Sequence, residues 1–196
     1  MRRTLLNCPT CCDKKTMTTD TTPSDLLKAK IKEFYFAVGV AMVRWQDVQF
    51  ELTELFYTLV GGDHAIVSAV FNTVPSFPTK VRMVKAAALL RLANTDLLKP
   101  CNDLCKCLND DKGVQRKRNQ IAHYMMYHDP PEGENLDPKT FADKYAFYLG
   151  PQMFDAQQRR TQLKTTDIEN RTKEFGEAAK RIRDFNAQVK ASLAAT

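Results

Sequence analysis

The chain has 196 residues, of which 43% are hydrophobic and 27% charged, and its formal net charge is +6. This length fits one domain with a buried core, and the composition is typical of a folded protein and excludes a disordered chain. Charged residues interrupt every long apolar stretch, so we expect no membrane span, no membrane partner and a cytoplasmic location. The basic excess is compatible with nucleic acid but does not identify it.

Residues 1–22 are rich in Thr, Cys and Lys and have no hydrophobic periodicity. We therefore expect a flexible N-terminal tail over 1–22 and one helical domain over 23–196. The six cysteines form two groups: Cys8, Cys11, Cys12 and Cys101, Cys105, Cys107. We predict reduced thiols and no metal or cofactor. "CPTC" is half of a zinc-ribbon signature and a second CxxC is missing, so a zinc site that combines both groups is an alternative.

A long first helix is predicted from "TTPSD", which supplies cap and first-turn residues, to "GGD" at 61–63. A short helix over "HAIVSAVFN", a helix over about 78–93 and another over 101–127, loosened at "NDDKG", follow it. The apolar positions of the first helix alternate steps of three and four, as in a bundle seam: Ile31, Phe34, Val38, Ala41, Trp45, Val48, Leu52, Leu55, Leu59.

Proline and glycine mark the second half of the chain. "HDPPEGENLDPKT" is predicted to be a loop, and "KYAFYLGPQMF" to form a small hairpin. "TDIE", residues 166–169, indicates a capping box that starts a last helix with one apolar side. The fold class predicted is therefore all-α: an up-and-down bundle of four to five helices with one long loop and a small hairpin.

The stretch "RNQIAHY", residues 118–124, combines a guanidinium, an amide and an imidazole on a predicted helix. At about 100° per residue, Asn119 and His123 are separated by about 40° and share a face. Arg116 lies about 20° from His123, whereas Arg118 lies about 140° away and reaches around with its long side chain. The preceding turn is strongly positive, with four cations and no acid between them: Lys112, Arg116, Lys117, Arg118.

These residue types suit RNA cleavage without a metal. An imidazole can take a proton from a 2′-hydroxyl or give one to a leaving 5′-oxygen, and a guanidinium can hold the phosphate. One histidine supplies only the acid or the base, so the chemistry favours a homodimer in which two copies of the helix meet across a twofold axis. The alternative, a histidine at a packing edge beside a solvated arginine, is left open by the spacing alone.

"RNQIAH" resembles the Arg-x(4–6)-His motif of the HEPN superfamily, in which a polar residue, commonly Asn, follows the arginine. The segments "VRWQDVQFELTELFYTLVGGD" and "SFPTKVRMVKAAALL" are also similar to HEPN sequences, and the resemblance covers roughly residues 24–195. It implies an all-α bundle with the motif on a late core helix. It also implies a homodimeric, metal-independent endoribonuclease of a toxin or antiphage-defence system, with RNA as substrate and an antitoxin or other defence subunit as a possible partner.

The resemblance assigns Arg118, Asn119 and His123 as catalytic residues in a composite cleft. Arg116 also satisfies the wider spacing and is the second candidate for the motif arginine. Four further residues are RNA-binding candidates: Arg116, Lys117, Lys112, Tyr124. One HEPN toxin subgroup has His-x-Tyr, and here the order is His123-Tyr124-Met125, which departs from that pattern. The alternatives are a non-catalytic HEPN-like module that binds nucleotide or nucleic acid or serves as a dimerising partner subunit, and a plain helical scaffold.

Deleting the N-terminal tail should leave the melting temperature nearly unchanged, because the tail has no apolar period with which to pack. Thermal unfolding of the truncated and full-length chains tests this. A large loss of stability, or stoichiometric zinc in the purified full-length protein, would instead support the zinc alternative.

Overall fold

The computed structural model describes residues 22–110, 113–130, 137, 140–141, 144–151 and 162–195. Within them the elements follow in this order: α1 (Pro23–Val60), α2 (His64–Asn72), α3 (Phe77–Arg91), α4 (Leu98–Asn109), α5 (Val114–His123), β1 (Met125–Asp129), β2 (Ala146–Gly150) and α6 (Thr165–Ala194). The predicted all-α bundle with a small hairpin is confirmed. No helix in these ranges is long and apolar enough to cross a membrane.

The start of α1 follows from a reciprocal cap. Thr22 accepts a hydrogen bond from the backbone N–H of Asp25 through Oγ1 at 3.2 Å, and the Asp25 carboxylate accepts from the backbone N–H of Thr22 at 3.3 Å. The tail predicted over 1–22 otherwise lies outside the described residues. Because Thr22 belongs to the helix cap, a deletion that tests the tail should end at residue 21.

The core lies mainly between α1 and α6, which make the most extensive contact of any two described elements. Trp45 of α1 joins a third helix to this seam, since its ring lies 4.6 Å from Phe77 of α3 and 5.7 Å from Phe175 of α6. The predicted seam of α1 is confirmed from Phe34 to Leu59, although Ile31 and Val38 are half-buried. The predicted apolar side of the last helix is buried throughout: Ile168, Phe175, Ala178, Ile182, Phe185, Val189.

The single helix predicted over 101–127 is wrong, because this segment forms α4, α5 and the strand β1. The break falls at the predicted weak point "NDDKG". Gly113, the N-cap of α5, packs so closely on the end of α4 that an added Cβ would lie 2.8 Å from the carbonyl oxygen of Asp110. This turn therefore excludes a side chain at 113, and it sets the direction in which α5 leaves α4.

The strand that pairs with β2 differs from the predicted one. β2 lies inside the segment predicted to form a hairpin by itself, but it pairs antiparallel with β1, from Met125↔Gly150 to Asp129↔Ala146. Leu149 also bridges to Leu163, just before α6. The predicted loop begins too early, because its first two residues, His128 and Asp129, belong to β1, and most of the remainder lies outside the described residues. β1 itself begins two residues after His123.

Lys80 of α3 is a buried cation. Its Nζ lies 3.3 Å from Oδ1 of Asn72 and 5.3 Å from the ring centroid of Phe71. Burial lowers the pKa of this ammonium group from its ordinary value. The folded state therefore disfavours the protonated form of Lys80. Below the pKa of the folded state, this lowers the free energy of unfolding. The loss disappears as the pH rises towards the pKa of the unfolded state.

Replacing Lys80 by Met should raise the free energy of unfolding by about 1 kcal/mol at pH 7, because a buried polar group is replaced by an apolar side chain of similar volume. The advantage over wild type should shrink as the pH approaches 10, which urea unfolding at several pH values measures. Lys85→Met, at an exposed position of the same helix, is the control. A destabilised Lys80→Met at pH 7 would show that the contacts to Asn72 and Phe71 outweigh the desolvation cost.

Candidate active site on helix α5

The three predicted catalytic residues lie on one helix. Arg118, Asn119 and His123 all belong to α5, which is anchored to the core through buried Ile121. Asn119 and His123 are one turn apart, so they share a face as predicted. His123 is the last residue of the helix and is exposed.

Arg118 is held by its neighbour. Its Nη1 donates a hydrogen bond to Oδ1 of Asn119 at 3.2 Å, so the amide orients the guanidinium and not the imidazole. The Nε of Arg118 is buried and has no hydrogen-bond partner among the described residues. A buried donor left unpaired costs about 1–3 kcal/mol, and an anionic oxygen is the acceptor that a guanidinium binds best.

The chain has three histidines, and their surroundings differ. The imidazole of His64 lies 2.7 Å from Oε1 of Glu54, and Nδ1 of His128 lies 2.8 Å from the hydroxyl of Tyr145. The side chain of His123 is exposed and makes no hydrogen bond or ion pair with any described residue. Its ring nitrogens are therefore available to an incoming ligand.

The four candidate RNA-binding residues differ in their accessibility. Arg116 is exposed, whereas Lys117 forms an ion pair with Glu174 at 2.6 Å. Tyr124 caps the C-terminus of α5 and packs half-buried against the core. Lys112 lies outside the described residues.

Two residues of α6 that the motif does not reveal fix α5 in place. Nη1 of Arg171 donates to the backbone carbonyl oxygen of Lys117 at 3.1 Å, and Glu174 binds the side chain of the same lysine. Burial lowers the pKa of the Arg171 guanidinium, against the opposing effects of Tyr124 and the nearby carboxylates. Lys117 directly precedes Arg118, so this double contact sets the position of the motif arginine relative to the core.

A groove and the aromatic residues of the hairpin lie near α5. A groove of about 350 Å³ between α4, α5 and α6 is lined by Lys117 and Arg181, but not by Arg118, Asn119 or His123. The hairpin after α5 carries ring pairs, with Tyr127 against Tyr148 at 5.7 Å and His128 against Tyr145 at 5.5 Å. The two ring pairs lie on opposite faces of the hairpin, since Tyr127 and His128 are successive residues of β1. The three motif residues do not line the groove, and the hairpin follows them in the chain.

Metal ligands do not gather in the described ranges, where no three His, Cys, Asp or Glu residues are arranged to hold an ion. Cys101, Cys105 and Cys107 are free thiols, the first two buried. The cysteines at 8, 11 and 12 lie outside the described residues, so the alternative of a shared zinc site is not tested by the fold.

In comparisons with protein-family models, with curated proteins and with solved structures, nothing matches this chain.

Replacing Arg171 by Met should lower the free energy of unfolding by about 1–2 kcal/mol, since a charge-assisted hydrogen bond to the backbone of α5 is lost. Amide hydrogen exchange should accelerate most in α5. Lys173→Met is the matched control, because Lys173 is an exposed cation on the same helix. Equal effects of the two substitutions on α5 would contradict the positioning role of Arg171.

Proposed function

We propose that the chain is a metal-independent endoribonuclease of the HEPN type, cleaving RNA in a cleft at a homodimer interface. In this proposal it acts in the cytoplasm as a toxin or antiphage-defence protein, with an antitoxin or another defence-system subunit as its protein partner. The observation that carries the proposal is the contrast among the histidines. His123, the motif imidazole, is exposed and unbonded in the described part of the chain, whereas His64 and His128 are both engaged.

The reaction needs an acid, a base and a group that binds the phosphate. A neutral imidazole removes the proton of the 2′-hydroxyl, and the 2′-oxygen then attacks the adjacent phosphorus. The bond to the 5′-oxygen breaks, and a protonated imidazole gives that oxygen its proton. The products are a 2′,3′-cyclic phosphate and a 5′-hydroxyl. One His123 cannot fill both roles in the same turnover, so the second imidazole comes from the other copy.

Arg118 is the residue suited to the phosphate. Charge accumulates on the non-bridging oxygens as the 2′-oxygen attacks, and a prepositioned guanidinium stabilises that charge. Asn119 holds Nη1 of Arg118, while the buried Nε lacks a described acceptor. A phosphate oxygen would accept a hydrogen bond from this donor. The hydrogen bond from Arg171 to the backbone of Lys117 holds in place the helix that carries the guanidinium.

The hairpin supplies a surface for the bases. Aromatic rings bind single-stranded RNA by stacking, at about 1–3 kcal/mol per base, with little sequence preference. On one face of the hairpin the ring of exposed His128, five residues after His123, lies 5.5 Å from the ring of Tyr145. The arrangement favours unpaired RNA, because bases in a duplex do not expose their faces.

Replacing His123 by Ala should abolish RNA cleavage and any growth toxicity while the circular dichroism spectrum stays unchanged, because the side chain is exposed. Arg118→Ala should lower kcat by about 100-fold or more by removing transition-state stabilisation. Cleavage of labelled RNA in EDTA, with identification of the product ends, measures both effects. His64→Ala is the matched control, as an exposed histidine on α2.

The same assay discriminates between the alternatives. A larger defect in Arg116→Ala than in Arg118→Ala would mean that Arg116 is the motif arginine. Cleavage that requires Mg²⁺, or that survives His123→Ala, would refute the mechanism. RNA or nucleotide binding without cleavage would instead support the non-catalytic module, and neither binding nor cleavage would support the plain scaffold.

A further inference from the structure

Two cysteines are paired on the buried side of α4. Cys101 and Cys105 are one helical turn apart, and the thiol of Cys101 donates a hydrogen bond to the sulfur of Cys105. Cys101 has no exposed surface, whereas Cys105 is 4% exposed. Of the two thiols, Cys105 is therefore the one that a molecule from solvent can meet, and Cys101 lies behind it.

Cys105 lines a groove between α3 and α4. The groove has a volume of about 420 Å³, and small-molecule sites typically have about 300–1,000 Å³. Val81 forms part of its apolar wall, and the side chains of Asn102 and Asn109 supply amides. A small molecule that occupies this groove would therefore contact the thiol of Cys105.

The groove carries charges of both signs. Arg82, Lys85 and Lys106 supply three cations, and Asp103 and Asp110 supply two carboxylates. Lys85, Lys106 and Asp103 make no hydrogen bond or ion pair with any described residue. Two ammonium groups and one carboxylate are thus available to a ligand around the thiol. A ligand that matches them carries two carboxylates and one ammonium group.

The surroundings of the two thiols favour ionisation of Cys105. The hydrogen bond from Cys101 lowers the pKa of Cys105, and the positive charge of Lys85 lowers it further, although burial opposes both. The same hydrogen bond, together with burial, raises the pKa of Cys101. Because the thiolate is the nucleophilic form of a cysteine, the more reactive thiol of the pair is the one at the groove.

We propose that Cys105 is a thiol-modification site for a small disulfide whose halves each carry two carboxylates and one ammonium group, as in oxidised glutathione. The Cys105 thiol loses its proton to water, and the thiolate attacks one sulfur of the disulfide. The sulfur–sulfur bond breaks, and the other half leaves as a thiolate that takes up a proton. Cys105 is thereby oxidised to a mixed disulfide, and the released half is reduced. Lys85 and Lys106 bind the carboxylates of the attached half, and Asp103 binds its ammonium group. This site is independent of the proposed ribonuclease reaction.

Mass spectrometry of the intact chain tests the modification. The test uses a full-length chain in which four cysteines are replaced by Ser: Cys8, Cys11, Cys12, Cys107. Oxidised glutathione under native conditions should add one glutathionyl group, which peptide mapping should place on Cys105 and dithiothreitol should remove. Cys105→Ser in the same background should take none. No adduct, an adduct on Cys101, or an adduct that forms only in urea would overturn the proposal.

A comparison of two disulfides tests the recognition of charge. Lys106→Gln should slow the reaction with oxidised glutathione about two- to fivefold, because an exposed ion pair with a carboxylate is lost. The reaction with bis(2-hydroxyethyl) disulfide, which is uncharged, should keep its rate. Lys99→Gln is the matched control, since Lys99 is an exposed cation of α4 outside the groove, and it should change neither rate. Equal slowing of both disulfides by Lys106→Gln, or slowing of neither, would show that the groove does not recognise the charges and would exclude this site.

Discussion

The packing of α1 against α6 is the contact on which the other elements depend. The two helices have 38 and 30 residues, far longer than the others, and their apolar sides form the largest part of the core. Trp45 extends this contact to α3 through Phe77, and Leu149 and Leu163 close the core where the hairpin meets the start of α6. The shorter elements obtain their apolar contacts from this pair, since a helix of ten residues such as α5 is marginal by itself.

The same seam determines where the candidate site lies, because α6 carries the two residues that hold α5. Arg171 and Glu174 are three residues apart on α6, and together they bind the backbone and the side chain of Lys117. Lys117 and Arg118 therefore differ in whether their polar groups have partners within the fold. The ammonium group of Lys117 is paired with Glu174, whereas the buried Nε of Arg118 has no hydrogen-bond acceptor among the described residues. In the proposed function an anionic ligand would accept a hydrogen bond from this donor and remove the cost. One residue of α5 thus stabilises the fold, and the next is the proposed ligand contact.

Local and periodic signals in the sequence predict much of this fold. The seam of α1 can be predicted because its apolar period runs unbroken from Ile31 to Leu59, and Thr22 and Asp25 mark the start of the helix. The division of 101–127 is harder to predict, since "YMMYHD" continues an apolar pattern that a helix also accepts. Its strand conformation depends on pairing with Ala146–Gly150, a segment that is distant along the chain. The contacts of Lys117 with Arg171 and Glu174 span 54 and 57 residues, and no spacing rule indicates them. The motif residues were therefore predictable as a set on one helix, but their partners were not.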